Sequence, residues 1–404
     1  MSSALRIALF ADSYYEANGV ARTCAALEAY AARRDLPLML VHAGPSAAVI
    51  RTGSVTRVEL RRARLTSCAL EHDLAFDFTL VRHARRVRRE LHRFAPDVVH
   101  FTGPSDVGQL GVWLARRSRM PMVGSWHTNL HEYASRRLRL EGLPESWGAK
   151  VRDLVEQQTL RWSLRFYRLP QVVLAPNEDL RRMLAPAGRP TFLMSRGVDT
   201  VAFTPQRRKR TDGAVNIGYV GRLSPEKSVR VLADLEQAFR DRGVTGVRFT
   251  IVGEGCERPW LADRMRRAAF TGVLRGDALA DAYANMDLFV FPSETETVGN
   301  VVLEAMASGV PVIAMASGGP RFVVGDSPAV LLARSAGELI DTAGTLVRDS
   351  VRRRTMAAAA RAWALEHSWD QIFDNVYRAY AVAASLVDRT QPEAVPESLA
   401  PTLE

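Results

Sequence analysis

The chain has 404 residues, of which 47% are apolar and 24% are charged, a length typical of roughly two or three globular domains. It contains no apolar run of the roughly 18 residues that span a bilayer, and residues 7–11 are too short for the core of a signal peptide. We therefore expect a cytoplasmic protein. The three cysteines lack CxxC spacing and indicate neither a zinc site nor a disulfide framework.

The formal net charge of +10 raises the question of an anionic partner, either nucleic acid or a membrane surface. Of the 54 basic residues only Lys150, Lys209 and Lys227 are lysines, which indicates a bias toward arginine along the whole chain. We therefore predict no nucleic-acid partner. The same scarcity makes Lys227 a residue of interest.

The first predicted strand covers residues 6–12, and a loop with Gly19 and a helix that starts at Val20 follow it. This is a common phosphate-binding arrangement, because glycine lets the backbone approach an anion and the helix amino terminus is partly positive. Many α/β proteins begin in this way, so a loop of purely structural use is the alternative.

Further strand-like runs with helical segments between most of them predict a doubly wound α/β domain in the first half of the chain. Among the helices, residues 81–94 are strongly basic and carry only a sparse apolar stripe. This helix could rest on anionic lipid headgroups or form a solvated outer helix of the domain. The predicted strands are residues 36–42, 98–102, 121–125, 172–176 and 192–195.

His127 directly follows a predicted strand that ends at Ser125, and His131 comes four residues later. That spacing can hold a metal, but no second histidine completes an HExxH pattern after His131, so we predict no metal site. A histidine at the carboxyl end of a strand is well placed to hydrogen-bond a substrate. A structural role in the core is the alternative.

Residues 195–205 mark the predicted end of the first domain, and the polar residues 206–213 are expected to form a hinge-like linker. A strand at 215–221 and a helix at 226–242 then open the second domain. Arg222 and Lys227 lie between them, where arginine offers a fork for phosphate oxygens and lysine a point charge. A surface salt bridge of either residue with Glu226 is the alternative.

The stretch at 289–316, FVFPSETETVGNVVLEAMASGVPVIAMA, predicts a buried strand, a polar loop, a helix that Gly309 ends, and a second strand. A strand-loop-helix-strand unit implies a parallel sheet, in which ligands lie beyond the carboxyl ends of the strands. We expect Glu296 and the amides at Val298, Gly299 and Asn300 to lie at that edge.

Glu304 lies roughly one turn into this mostly apolar helix, where an unpartnered carboxylate is costly. An ionised carboxylate can accept from both hydroxyls of a vicinal diol, as in a sugar or a ribose. The alternative is that Glu296 is solvated and Glu304 pairs with an arginine. Beyond residue 334 the chain is predicted to be helical, and the proline-rich residues 388–404 are expected to be disordered.

Four segments resemble glycosyltransferase family 4, whose members are retaining, nucleotide-sugar-dependent enzymes. They are DSYYEANGVART, WHTNLHEYA, VGRLSPEKS and ETETVGNVVLEAMASGVP, and the resemblance extends from residue 6 to about 386. It implies the GT-B fold, an α/β architecture of two Rossmann-like, doubly wound domains facing each other across a cleft. Residues 1–198 would be the acceptor side, joined by a helix at 369–387 that crosses back, and residues 199–368 would bind the nucleotide sugar.

The resemblance also implies roles for catalytic residues. In the family's Glu-x7-Glu motif the first glutamate, here Glu296, contacts the donor sugar, and the second, here Glu304, holds the ribose. His127 matches the histidine that contacts the sugar beside the reaction centre. Arg222 and Lys227 match the pair that neutralises the leaving diphosphate.

Backbone contacts follow from the same resemblance. Gly19 and Val20 match the loop that reaches the donor diphosphate, and Val298, Gly299 and Asn300 match the segment that binds sugar and phosphate through its backbone. Two residues depart from the family pattern. Val298 replaces the usual aromatic residue before the glycine, and Arg196 stands where an asparagine is more common.

The implied reaction moves a hexose from GDP-mannose or a UDP-sugar to a lipid-linked or glycan acceptor with retention of configuration. The family needs neither metal nor resident cofactor, since the nucleotide sugar is a co-substrate and its departing phosphate takes the acceptor's proton. The most similar subgroup holds lipid α-mannosyltransferases and sulfoquinovosyl- or glycosyl-diacylglycerol synthases, which implies peripheral contact with anionic lipid at the inner face of the cell membrane. A nucleotide-sugar epimerase of the same fold and a non-catalytic nucleotide-sugar-binding protein are the alternatives.

Overall fold

The computed structural model describes residues 4–16, 19–63, 67–71, 74–77, 79–127, 145–294, 299–316 and 327–387. The chain divides into two compact units: the first comprises Met1–Met194 and Phe373–Glu404, and the second comprises Ser195–Ile372. Among the described helices, none is long and apolar enough to cross a membrane. The assignment of acceptor and donor to residues 1–198 and 199–368 stays a prediction, and the tail at 388–404 lies outside the described residues.

The first unit is built on an eight-stranded sheet in the order β10-β9-β8-β7-β1-β2-β4-β3, parallel except for the β3–β4 pair. The central strands are fully buried, as expected for a parallel sheet with helices on both faces. A separate antiparallel pair, β5 and β6, follows β4 in the chain. The strands are β1 (Ile7–Ala11), β2 (Leu38–Gly44), β3 (Val49–Thr52), β4 (Val55–Arg61), β5 (Ser67–Glu71), β6 (Leu74–Asp77), β7 (Val98–Phe101), β8 (Met122–Ser125), β9 (Val172–Ala175) and β10 (Thr191–Leu193).

Among the described residues of this unit, five helices alternate with the strands, and a sixth returns from the end of the chain. The last helix begins in the second unit, and its residues from Phe373 onward belong to the first, where Tyr30 donates a hydrogen bond to Asp374 at 2.5 Å. The helices are α1 (Gly19–Arg33), α2 (Ala84–Phe94), α3 (Asp106–Arg117), α4 (Glu145–Phe166), α5 (Glu178–Leu184) and, at the end of the chain, α12 (Trp369–Ser385).

The basic helix α2 directs its apolar stripe into the core. Val87, Leu91 and Phe94 are buried in the hydrophobic cluster of the first unit, while Arg85 and Arg88 are exposed. This arrangement agrees with the interpretation of a solvated outer helix. Because the stripe is already covered, any contact of α2 with lipid would be made by its arginines rather than by apolar insertion.

The second unit has a six-stranded, fully parallel sheet in the order β13-β12-β11-β14-β15-β16. Its strands are β11 (Val215–Val220), β12 (Val247–Val252), β13 (Ala268–Gly272), β14 (Leu288–Phe291), β15 (Val312–Met315) and β16 (Val330–Ala333). Its helices are α6 (Val231–Asp241), α7 (Arg258–Arg264), α8 (Gly276–Ala284), α9 (Asn300–Ala307), α10 (Ala336–Arg348) and α11 (Ser350–Glu366).

Two expectations about this unit were wrong in detail. The helix predicted at 226–242 begins only at Val231, because Pro225–Lys227 forms a short 3₁₀ turn and Ser228 adopts a left-handed conformation with φ of 51°. The predicted hinge at 206–213 is tied to its own unit by ion pairs. Arg207 lies 2.6 Å from Asp277, and Lys209, Arg208 and Arg210 pair with Asp281 and Asp287.

Candidate active site

The order of strands in the second sheet reverses at β11, which has β12 on one side and β14 on the other. Such a switch point leaves a crevice beyond the carboxyl ends of the strands, where ligands of open α/β sheets bind. The segment with Arg222 and Lys227 follows β11, and α9 with Gly299, Asn300 and Glu304 comes after β14. The fold therefore brings these five predicted residues to the same edge of one sheet.

The turn that carries Arg222 is held by backbone and side-chain hydrogen bonds. The hydroxyl of Tyr219 donates to the carbonyl of Arg222 at 3.0 Å, and the amide of Lys227 donates to the carbonyl of Ser224 at 3.1 Å. The Arg222 side chain is 71% exposed and lies 3.6 Å from Glu226, so the salt bridge weighed as an alternative does form. An ion pair this exposed contributes little to stability and leaves the guanidinium accessible to a ligand.

Glu304 is half-buried on α9, and a tyrosine contacts it. The hydroxyl of Tyr283, a fully buried side chain on α8, donates to Oε2 of Glu304 at 2.9 Å. The ring of Tyr283 packs against Phe289 and Phe203, which fixes the position of its hydroxyl. No local pattern predicts this pairing, because Tyr283 and Glu304 lie 21 residues apart in different helices.

Gly299 precedes α9 with φ of 71°, a left-handed conformation that favours glycine over any residue with a β carbon. The carbonyl of Gly299 accepts from the amide of Val302 at 2.8 Å, which closes the first turn of the helix. Asn300 is the first helical residue. The amide groups at this helix end are suited to an anion or a hydroxyl oxygen.

The first sheet has its own switch point at β1, which lies between β2 and β7. The helix α1 begins at Gly19 with Val20 as its second residue, and both are half-buried. The hydroxyl of Thr23 donates to the carbonyl of Gly19 at 2.9 Å, within the first turn. This helix amino terminus follows β1 and so lies at the carboxyl edge of the first sheet.

His127 follows β8 at the same edge of the first sheet and is half-buried. Its Nε2 lies 2.9 Å from the hydroxyl of Ser125, and that hydroxyl lies 2.9 Å from Nε2 of the buried His100 on β7. Between Ser125 and His127, the ring of Trp126 stacks on Tyr167 with centroids 4.7 Å apart. The strand that the sequence predicted here thus positions His127 as expected, but neither His100 nor Ser125 was singled out.

Comparisons with known proteins agree with this arrangement. A model of glycosyltransferase family 4 matches residues 17–202, and a model of group 1 glycosyl transferases matches residues 214–349. A GDP-mannose-dependent alpha-mannosyltransferase of Mycobacterium tuberculosis is 36% identical over 307 residues, which cover 73% of this chain and 75% of the relative. The chain belongs to glycosyltransferase family 4. A sulfoquinovosyl transferase of Arabidopsis thaliana is 30% identical over 309 residues, which cover 70% of this chain and 56% of the relative.

Solved structures confirm the fold of this family 4 glycosyltransferase. Sucrose-phosphate synthase from Thermosynechococcus elongatus superposes with a TM-score of 0.62 at 20% identity, covering 94% of this chain and 100% of that one. An Anabaena protein crystallised with UDP and glucose superposes with a TM-score of 0.60 at 18% identity, covering 93% of this chain and 99% of that one. The expected GT-B architecture of two Rossmann-like α/β units is therefore confirmed.

Three of the residues singled out from the sequence of the glycosyltransferase, Glu296, Val298 and His131, lie outside the described residues. Among the residues that are described, no group of three or more histidine, cysteine, aspartate or glutamate side chains is arranged to hold a metal ion. The roles of the predicted site residues, and the absence of a resident cofactor, stay predictions.

The sequence of the glycosyltransferase gave no reason to single out Asp12, which directly follows β1. The residue as a whole is half-buried. Its carboxylate accepts a hydrogen bond from the hydroxyl of Ser105 at 2.5 Å, and its backbone amide donates to the hydroxyl of Thr102 at 2.8 Å. Burial raises the pKa of Asp12 to about 7, and the neighbouring Asp106 adds to the rise, while Ser105, Thr102 and Arg62 oppose it. Asp12 is thus a titratable group at this edge whose charge changes near neutral pH.

Replacing Asp12 by asparagine is expected to change how the stability of the enzyme depends on pH. Between about pH 4 and about pH 7, Asp12 is protonated in the folded protein and ionised in the unfolded chain. The free energy of unfolding of the wild type therefore falls as pH rises through this range. Asparagine keeps an acceptor for Ser105 and does not titrate. The melting temperature of Asp12→Asn, relative to wild type, should therefore rise by a few degrees between about pH 5 and about pH 8. A difference that does not vary with pH would contradict the raised pKa.

Proposed function

We propose that this enzyme is a retaining mannosyltransferase that moves mannose from GDP-mannose to a lipid-linked or glycan acceptor. The observation that carries the donor assignment is the 36% identity, over three quarters of its length, to a GDP-mannose-dependent alpha-mannosyltransferase. The arrangement at the edge of the second sheet supports it, because basic side chains, a helix amino terminus and a carboxylate suit the diphosphate and the hydroxyls of a nucleotide sugar. A UDP-sugar donor, with UDP present in the Anabaena neighbour, is the second candidate.

The main barrier in this reaction is the departure of a nucleoside diphosphate from an anomeric carbon with oxocarbenium character. Arg222 and Lys227 would bind the oxygens of the departing diphosphate, and the amides at Gly299 and Asn300 would add partial positive charge at the amino terminus of α9. Fixed charges of this kind stabilise the transition state because they need no reorganisation as the negative charge develops.

Glu304 would accept hydrogen bonds from both hydroxyls of the ribose. The hydrogen bond from Tyr283 to Oε2 holds the carboxylate in one rotamer, which lowers the entropy lost when the nucleotide binds. Glu296 would contact the donor sugar, and His127 would do so from the first unit. The departing phosphate would take the proton of the acceptor, so that neither a metal ion, nor a resident cofactor, nor a dedicated protein base is required.

Of the two kinds of acceptor we favour the lipid-linked one, at an anionic membrane surface. The exposed arginines of α2, which include Arg85, Arg88 and Arg89, would contact the lipid headgroups, with each basic residue near the surface contributing about 1 kcal/mol. Because the apolar stripe of α2 is buried, this contact would be purely electrostatic and should weaken at high salt.

Thermal denaturation with GDP, UDP and ADP, each with EDTA present, tests the donor assignment. We expect GDP to raise the melting temperature by several degrees, since a ligand at 100 times its dissociation constant stabilises the folded state by about 2.7 kcal/mol. A shift with UDP alone would show that the donor is a UDP-sugar rather than GDP-mannose. No shift with any nucleotide would contradict the proposal. Release of GDP from GDP-mannose only when an acceptor is added would separate a transferase from an epimerase or a binding protein.

A further inference from the structure

We propose that the ring of Tyr15 stacks on a sugar ring of the acceptor, and that Glu59 on β4 is a positioning residue that holds the Tyr15 ring for this contact. The inference rests on the proposed transfer to a glycan or a lipid-linked glycan. It adds to that proposal the residue that recognises the acceptor. It also requires the acceptor to present a ring with an apolar face, such as a pyranose.

Tyr15 lies in the loop between β1 and α1, at the carboxyl edge of the first sheet. Ligands of open α/β sheets bind beyond this edge, and the amino terminus of α1 and His127 lie at it as well. Tyr15 is 59% exposed, although exposure of a large aromatic ring to water is unfavourable. The residue therefore offers apolar surface at the place where the first unit would bind a ligand.

The hydroxyl of Tyr15 is held by a buried carboxylate. It donates to Oε2 of Glu59 at 2.9 Å, and Glu59 is only 5% exposed. Oε1 of Glu59 accepts from the backbone amide of Ser46 at 2.7 Å and from its hydroxyl at 2.8 Å. A β carbon at Gly44 would lie 2.5 Å from the same oxygen, so the glycine leaves the room that the carboxylate occupies. The Tyr15 ring is thus fixed in advance, which lowers the entropy lost when a ligand stacks on it.

The neighbouring rings leave one face of Tyr15 uncovered. Tyr14 stacks on His42 with centroids 4.3 Å apart, and the Tyr15 ring is nearly perpendicular to both, at 5.2 Å and 5.3 Å. A ring that is perpendicular to two stacked rings at these distances packs one of its faces against their edges. The exposed surface of Tyr15 therefore belongs mainly to the opposite face.

The charges around Tyr15 favour a neutral sugar over the diphosphate of the donor. Burial raises the pKa of Glu59, but hydrogen bonds from Ser46 and Tyr15 outweigh this effect and hold the pKa below its ordinary value. The second carboxylate, Glu28, lies 3.1 Å from Arg57. Two carboxylates and one guanidinium give this cluster a net negative charge, which repels a diphosphate. The C–H groups of a pyranose, in contrast, are partly positive and suit the negative face of an aromatic ring.

Saturation-transfer NMR of the full chain tests the stacking, with methyl α-D-mannopyranoside as the probe and with GDP present to fill the nucleotide site. We expect saturation to reach the C–H protons of one face of the pyranoside, and the open-chain probe D-mannitol to receive much less. Tyr15→Ala should weaken binding of the pyranoside about tenfold, because the stacking surface is lost. Tyr15→Phe keeps the ring but loses the bond to Glu59, so the loss should be only about threefold.

Trp113→Ala is the matched control. Trp113 is also an exposed aromatic residue of the first unit, at 42%, but it lies two turns into α3. Its removal should leave the dissociation constant of the pyranoside unchanged. Equal affinities of Tyr15→Ala and Trp113→Ala would overturn the proposal, as would a wild type that does not bind the pyranoside. If Tyr15→Ala weakened the binding of GDP-mannose but not that of the pyranoside, Tyr15 would contact the donor, which also overturns the proposal.

The role of Glu59 is tested by the dissociation constants of two ligands. Glu59→Ala should weaken binding of the pyranoside about threefold and leave that of GDP unchanged, and it should have no further effect when Tyr15 is already phenylalanine. Glu59→Gln, which keeps an oxygen for the tyrosine hydroxyl, should recover part of the affinity. Equal losses for both ligands, or full additivity with Tyr15→Phe, would show that Glu59 only stabilises the fold. Pyranoside binding without any transfer from GDP-mannose would instead overturn the proposed function.

Discussion

Replacing Arg222 by alanine should lower kcat about 100- to 1,000-fold and leave the melting temperature unchanged. The rate should fall because one charged donor to the departing diphosphate is lost, an effect of the size seen when a single transition-state donor is removed. The stability should not change, since the Arg222 side chain is 71% exposed and its ion pair with Glu226 is worth little. Steady-state kinetics with GDP-mannose and thermal denaturation measure the two quantities. Lys227→Ala should behave in the same way.

Arg182→Ala is a suitable control for this experiment. Arg182 also lies in an exposed arginine–carboxylate pair, 3.5 Å from Asp179, and its side chain is 75% exposed. It lies on α5 in the first unit, so its removal changes the net charge by the same amount without touching the proposed phosphate site. Equal kcat values for Arg222→Ala and Arg182→Ala would show that Arg222 is only a surface residue.

Replacing Gly253 by alanine should destabilise the second unit by more than about 4 kcal/mol, among the largest effects of a single substitution. Gly253 follows β12 with φ of 137°, and a β carbon built on it would lie 1.9 Å from the carbonyl oxygen of Gly221. That oxygen belongs to the backbone and cannot rotate away. Since Gly221 directly precedes Arg222, relief of the clash would also displace the proposed phosphate site. Calorimetric melting of the full chain and the rate of transfer report these two effects.

Gly246→Ala separates the clash from the cost of backbone conformation. Gly246 has φ of 68°, and a β carbon there would meet no heavy atom within 4 Å. Its replacement should cost only about 1–2 kcal/mol, the penalty of a left-handed residue. If the two alanine variants melt at the same temperature, the close approach of Gly253 to Gly221 has no energetic importance.

The sequence predicted the fold well where a strand is buried on both faces. Apolar runs such as IALFA at β1 and LFVF at β14 leave little alternative to a parallel strand. It did not predict β3 and β4, because β3 is mostly exposed, neither strand alternates regularly between buried and exposed positions, and both carry arginine. The pairing of β4 with β2 joins segments that are not adjacent in the chain, and no local pattern reveals it.

The candidate site was predicted only as far as its residues lie in local motifs. Arg222 and Lys227 lie in one local motif and Glu304 in another, and the spacing within each motif is recognisable. The partners that position such residues were missed, because Tyr283 reaches Glu304 and Tyr380 reaches His100 from distant helices. Side chains that act through a second residue are set by tertiary packing, which the order of residues along the chain does not show.

The division of α12 between the two units has a consequence for how the protein is made. The first unit takes residues from both ends of the chain, and Asp374 and Tyr380 complete contacts with Tyr30 and His100. A ribosome releases these residues only after the whole second unit has been synthesised. The first unit therefore cannot reach its final packing during translation, whereas the second unit, continuous in sequence, can fold as soon as it emerges.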